Sequence, residues 1–146
     1  NSPNKKYKGE SDRALINGMG GTINYQDASW QGFEAEDLIA IIDLGSAKTI
    51  NSVEVRFLQS QVFWIFLPYH VQIEHSADGK NFELIYEDYP SNDFSFEQKI
   101  ISYKANIDPL ESRFIRVKGY NIDQCPDYHP GAGGPSWIFS DEIIIN

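Results

Sequence analysis

The chain carries one cysteine, Cys125, in 146 residues, so no disulfide can form within it, and a lone thiol leaves the redox compartment open. No apolar run approaches the roughly 20 residues that a spanning helix needs, which excludes insertion into a membrane by that route. Basic residues are scarce, 12 against 21 acidic, for a net charge of −9. A protein of that charge does not hold a phosphate backbone or an anionic membrane by bulk attraction. Helical periodicity is also nearly missing. Ser11 to Ile16 offers a single turn, and no longer segment keeps a 3.6-residue repeat.

What is abundant is aromatic. Three Trp, 8 Tyr and 9 Phe make up 14% of the chain, and 41% of all residues are hydrophobic. That much apolar surface can offset the entropy of ordering, which excludes disorder. The length suits one domain. Strand signals recur along it. Leu38 to Leu44 is an almost continuous apolar run ending at Gly45, and Val53, Val55 and Phe57 alternate with Ser52, Glu54 and Arg56. Val71 and Ile73 alternate with Gln72 and Glu74, and Phe82, Leu84 and Tyr86 with Asn81, Glu83 and Glu87. Residues 76–80, Ser-Ala-Asp-Gly-Lys, read as the hairpin turn between those two runs. Phe94 to Tyr103, Phe114 to Gly119 and Ile138 to Ile145 complete seven or eight short strands. One-sided alternation without intervening helices predicts an all-β fold, an antiparallel β-sandwich of the jelly-roll kind.

Several motifs fall in a familiar order. Residues 14–18 (Ala-Leu-Ile-Asn-Gly) are followed by Thr22, Trp30 and the run from Asp37 to Gly45. Residues 76–82, 113–117 and 141–143 continue the series. The set resembles a discoidin domain, also called the coagulation factor V/VIII type C domain, from about Gly9 onward. The resemblance implies a module over residues 9–146 preceded by a linker over residues 1–8. Residues 30–33 (Trp-Gln-Gly-Phe), 64–68 (Trp-Ile-Phe-Leu-Pro) and 129–134 (His-Pro-Gly-Ala-Gly-Gly) are similar to the C-terminal modules of bacterial, Bacteroides-type family 20 β-N-acetylhexosaminidases, or chitobiases. Such modules resemble family 32 carbohydrate-binding modules. Vertebrate relatives tie their termini with a disulfide, which a single cysteine cannot do, and this departure favours the bacterial branch.

The resemblance implies a structural Ca²⁺ between the first loop and the last strand. Asn17, the Met19 carbonyl, Thr22 and Glu142 fall on the family's ligand positions, with Ala14 and Asp141 offering carbonyls. Such oxygens suit Ca²⁺, which takes six to eight of them. Asn17 stands where the family has Asp, which removes one negative charge and weakens the site. Read without the family, Asn17-Gly18 is a turn and Glu142 a solvated strand-end carboxylate.

Three stretches break the alternation, residues 24–37, 59–68 and 121–135, and all are rich in Trp, His, Tyr or Gly. Sugars offer an apolar C–H face and a rim of hydroxyls, so their sites need an aromatic platform beside fixed donors and acceptors. The candidates are Asp27, Trp30, Gln59, Trp64, Asp127, Tyr128 and His129, which the resemblance gathers at one end of the sandwich. Trp64 is the preferred platform. Trp30 and Trp137 serve equally as core plugs, His129 suits a turn cap as well as a sugar contact, and His70 and His75 read as structural. No nucleophile elbow, zinc spacing or phosphate loop is present, and no pair of acids is marked for glycosidase work, so no autonomous catalysis is expected.

The expectation is a monomeric carbohydrate-binding module of a secreted, periplasmic or outer-surface bacterial glycoside hydrolase. Its partners are glycans and a parent catalytic domain in the same polypeptide, with no nucleic acid. The alternative is a structural module that docks on its parent and binds no sugar.

Overall fold

A computed structural model describes residues 1–11 and 13–146. Among the described residues six strands form, β1 (Gln31–Glu34), β2 (Leu38–Gln59), β3 (His70–Ser76), β4 (Glu83–Asp88), β5 (Lys99–Tyr120) and β6 (Trp137–Ile145). They are hydrogen-bonded in the order β1-β6-β2-β5-β3-β4, every pair antiparallel. The fold is the expected β-sandwich of discoidin-like topology, with fewer and longer strands than the alternation suggested.

The reason lies in β2 and β5. The run from Leu38 and the run from Val53 are one strand, because the polar stretch between them stays paired to β5 through two register shifts. Gly45 sits at the first shift with φ +82°, a conformation that suits a residue without Cβ. Its N–H donates to Asp43, whose carboxylate also takes both arms of Arg113 at 2.8 Å. Those partners hold Asp43 down to about 2. The first half of β2 pairs with the end of β5, which continues into β3 and β4. The second half pairs with the start of β5 on one side and with β6 on the other. Two strands therefore pass through both layers.

Between the layers lie Val53, Val55 and Phe57 from β2, Val71 and Ile73 from β3, Ile115 and Val117 from β5, and Ile138 and Ile143 from β6, all sealed from solvent. The alternate side chains Leu58 and Phe139 face the other way and bury a second cluster with Trp30 and Ile65. That cluster is roofed by Tyr7, Tyr25 and Trp137, so the outer face of this layer is covered by loops.

The turn after β3 forms as expected. Asp78 accepts from the N–H groups of Lys80 and Asn81 and from the Ser76 hydroxyl, which holds its carboxyl far below the usual range. Phe94 to Gln98 departs from expectation, since β5 begins only at Lys99 and Phe94 is exposed against Phe96 and Tyr128. Residues 1–8, expected as a linker, fold along the strands. Tyr7 exchanges backbone bonds with Asn4 and Gly32, Lys8 bridges Gln31, and the Asn1 side chain accepts from the Ile39 N–H. The single turn expected over residues 11–16 is a 3-10 turn at Ala14–Ile16, while Asp12 lies outside the described residues. No helix among the described residues is long and apolar enough to cross a membrane.

Candidate functional site

Where β2 ends, Ser60 and Ile65 pair through both backbone bonds and pinch off a tight turn. Inside it Gln61–Phe63 forms a 3-10 turn that closes on Trp64 in the left-handed region, φ 66° and ψ 22°. A tryptophan there is strained, and four backbone bonds hold it, two of its own and two of its neighbour. Its N–H donates to Gln61, its carbonyl accepts from Trp137, and the neighbouring Ile65 is locked to Ser60. The result is an exposed tip in which Val62, Phe63 and Trp64 all face solvent in part.

Trp64 lies on a bed made by the third loop. Residues 125–134 wind into successive turns, in which the N–H groups of Ala132, Gly134 and Gly133 donate to the His129, Gly131 and Cys125 carbonyls, and the Cys125 N–H donates to the Gly134 carbonyl. A Cβ on Gly131 would stand 2.5 Å from the Trp64 ring, and one on Gly134 2.6 Å from it, so the indole occupies the space that only glycine leaves. The residue remains 37% exposed. His129 fastens this loop from below. Its Nδ1 accepts from the Gly131 N–H at 3.0 Å and its Nε2 donates to the Gln61 carbonyl at 2.6 Å, which fixes the proton on Nε2. Its ring meets Trp64 and Phe66 edge-on.

Phe63 turns the opposite way, toward the first loop. Its ring meets Tyr25 at 4.5 Å, Tyr25 meets Tyr7 at 5.9 Å, and Tyr7 meets Trp137 at 5.4 Å. These rings enclose a hollow of about 160 Å³ with Lys6 at its rim, the ammonium 5.1 Å from the Tyr7 ring centre. On the other side of Tyr25 and Phe63 lies a hollow of about 340 Å³ edged by Ile23 and the amides of Asn24, Gln26 and Gln98.

Set against the expected residues, the structure corrects several. Trp30 is a core plug, 1% exposed, with its indole N–H donating to the Thr22 carbonyl beneath Gly21. Gln59 is buried and bonds the Glu97 carbonyl. His129 is buried with both ring nitrogens engaged, so its work is shaping the loop. Asp27 spends its oxygens on the N–H groups of Ser29 and Thr22, which hold its carboxyl below the usual range. Trp64, Asp127 and Tyr128 are exposed. The Tyr128 hydroxyl donates to the Asn92 carbonyl, and its ring stands edge-on to Phe94. Tyr7, Tyr25 and Lys6 were not among the expected residues. Their one sequence signal is an isolated aromatic in a polar stretch, Lys-Lys-Tyr-Lys and Ile-Asn-Tyr-Gln.

The expected metal residues meet where the first loop crosses β6. Asp141 is fully buried, pairs with Arg56 at 3.1 Å and accepts from the Gly21 N–H at 2.6 Å. Glu142 accepts from Gly18 at 3.3 Å. Burial pushes both carboxyls up. Asp141 Oδ1 and Glu142 Oε2 are buried without any partner, a deficit of positive charge that one guanidinium does not fill. Asn17 turns its oxygen onto the Met19 N–H, and the Thr22 hydroxyl accepts from Asn24. Ala14 is buried beside them. The oxygen-only donor set and the two orphaned acceptors fit a hard cation. No three His, Cys, Asp or Glu side chains gather into a metal-holding group among the described residues.

The chain matches the F5/8 type C domain family over residues 1–135, and it belongs to that family. No curated protein sequence matches it. Its fold is shared with a module designated GH89 CBM32-6 from Clostridium perfringens, at TM-score 0.59 and 16% identity, covering 98% of this chain and 86% of that one. It is shared with CBM32-1 of a family 31 glycoside hydrolase from the same organism, at TM-score 0.55 and 17% identity, over 96% and 87% of the two chains. A mutant GH29 fucosidase of Ruminococcus gnavus in complex with fucose matches at TM-score 0.61 and 13% identity. That match covers 96% of this chain, which spans 22% of the fucosidase.

Proposed function

We propose that this is a non-catalytic carbohydrate-binding module, appended to a glycoside hydrolase and engaging glycans at the Phe63–Trp64 tip. The observation that carries the reading is the strained Trp64, whose indole is laid on Gly131 and Gly134 and kept part-exposed. A fold that pays strain to present a ring on a rigid bed supports a recognition role better than a packing one. The amides of Asn24, Gln26 and Gln98, beside Phe63, offer the polar contacts that a ring of hydroxyls requires. The parent enzyme is a family 20 β-N-acetylhexosaminidase of a secreted or surface type, a reading supported by the motifs at residues 30–33, 64–68 and 129–134. Affinity at so shallow a site is on the order of 0.1–1 mM, and linkage to the catalytic domain compensates through effective concentration.

Ca²⁺ belongs to this reading as a staple between the first loop and β6. Asn17, Thr22, Asp141 and Glu142 would hold it with the Ala14 and Met19 carbonyls, and it would supply positive charge to the two orphaned carboxylate oxygens. Melting in calcium against chelator tests it, and an unchanged midpoint removes the metal.

The sugar reading is tested by heteronuclear NMR titration with N-acetylglucosamine, N-acetylgalactosamine and galactose. Shifts that saturate in the millimolar range around Trp64 are expected, and their loss in a folded Trp64→Ala variant. Silence with all three sugars would favour the module that docks on its parent.

A further inference from the structure

We infer that the site takes at least two consecutive sugar residues of an uncharged glycan, one on each side of the Tyr25–Phe63 ridge. The inference rests on the carbohydrate reading, extends it from Trp64 to the Phe63 side of the tip, where Trp64 lines neither hollow, and adds the size and charge of the ligand.

Two hollows share Tyr25 and Phe63 as a common wall. The smaller, at about 160 Å³, falls below the size of pockets that bury a ligand by themselves, and the larger, at about 340 Å³, lies at the lower end of that range. Their chemistry differs. The smaller is walled by rings, Tyr7, Tyr25, Phe63 and Trp137, with the Lys6 ammonium as a donor at the rim. Ring walls suit the C–H face of a pyranose, and one donor suits a carbonyl or hydroxyl at its edge. The larger is edged by Asn24, Gln26 and Gln98, amides that both donate and accept, as a rim of hydroxyls demands. A ridge with one sugar-like surface on each flank fits a ligand that continues across it.

Charge selects among glycans. Among the described residues no carboxylate lines either hollow, and the one charged side chain that does is Lys6. A cationic amino sugar meets that ammonium, so the N-acetylated form is accepted and the free amine rejected.

Isothermal titration of the folded chain tests this with N-acetylglucosamine, N,N′-diacetylchitobiose and its fully deacetylated dimer, and with galactose and lactose. In at least one series the disaccharide should bind tenfold or more tighter than its monosaccharide, and the deacetylated dimer at least tenfold more weakly than the acetylated one. Lys6→Ala, at an exposed position, should remove most of the gain from the second sugar. Gln26→Ala should weaken monosaccharide and disaccharide alike. A monosaccharide that binds as well as its dimer, or a gain untouched by Lys6→Ala, overturns the two-residue site while the carbohydrate reading stands. No binding by any of these sugars, from a sample with the wild-type melt, overturns both.

Discussion

Replacing Gly131 by alanine puts the bed under Trp64 to a direct test. The new Cβ would stand 2.5 and 2.6 Å from two carbons of the indole, where ordinary contact begins near 3.4 Å. The ring must therefore retreat by about 1 Å. Gly131 is outside the left-handed region, so the substitution adds no backbone strain and the whole effect is steric. Overpacking of this kind costs about 1–3 kcal/mol. Because Trp64 is 37% exposed, it can tilt toward solvent, which places the cost at about 1–2 kcal/mol, a fall in Tm of about 3–6 °C for a domain of this size. Gly133→Ala is the matched control. It has open space around its Cβ and φ +81°, so it loses about 1 kcal/mol to strain while the indole stays put. Urea unfolding gives the two stabilities, and the three indole N–H resonances report which tryptophan moved. Only Gly131→Ala should shift the Trp64 resonance and weaken sugar binding. A Gly131→Ala protein with wild-type stability and an unmoved Trp64 resonance would refute the geometry of the bed and, with it, the platform.

Three further outcomes follow from the same structure. His129→Ala leaves the Gln61 carbonyl and the Gly131 N–H without their buried partner, and should lower stability by about 2–4 kcal/mol in urea titration. Burial pushes the Glu74 carboxyl up, but Arg116 and Lys118 outweigh it and hold it below its ordinary value. A depressed folded pKa means the unfolded chain binds more protons, so this stability is complete above about pH 4.5 and drains as pH falls through the folded value. Glu74→Gln should flatten the melting curve against pH in that acid range and lower Tm at neutrality. The Cys125 thiol is buried and pushed up in pKa, so a thiol reagent should label it only once denaturant is added.

The legible part of the fold was its local part. Val53, Val55 and Phe57 alternate because one side of β2 faces the core, and that pattern survives in the sequence whatever the strand's neighbours are. The union of two runs into β2 was not legible, because Gly45-Ser-Ala reads as a turn, and the strand continues past it only because pairing with β5 resumes at Lys48 opposite Ser112, more than sixty residues away. Phe94 and Phe96 suggested a strand by alternation but pack on each other in a loop, with Phe94 edge-on to Tyr128. At the site the limit is the same. Whether Trp30 plugs the core or Trp64 reaches solvent depends on Gly21 in one case and on Gly131 and Gly134 in the other, contacts that no local pattern encodes. Tyr7 was hidden by the polar segment that carries it, which looks like a tether and is held to β1 by backbone bonds.

The passage of β2 and β5 through both layers has a mechanical meaning. The tip that bears Phe63 and Trp64 leaves directly from the last residue of β2, and the loop beside it enters the first residue of β5. Tension drawn along β2 from that tip loads the longest ladder in the molecule end to end, in shear, with its backbone bonds resisting in parallel rather than peeling one after another. A load taken at the tip is therefore carried by the longest seam in the molecule.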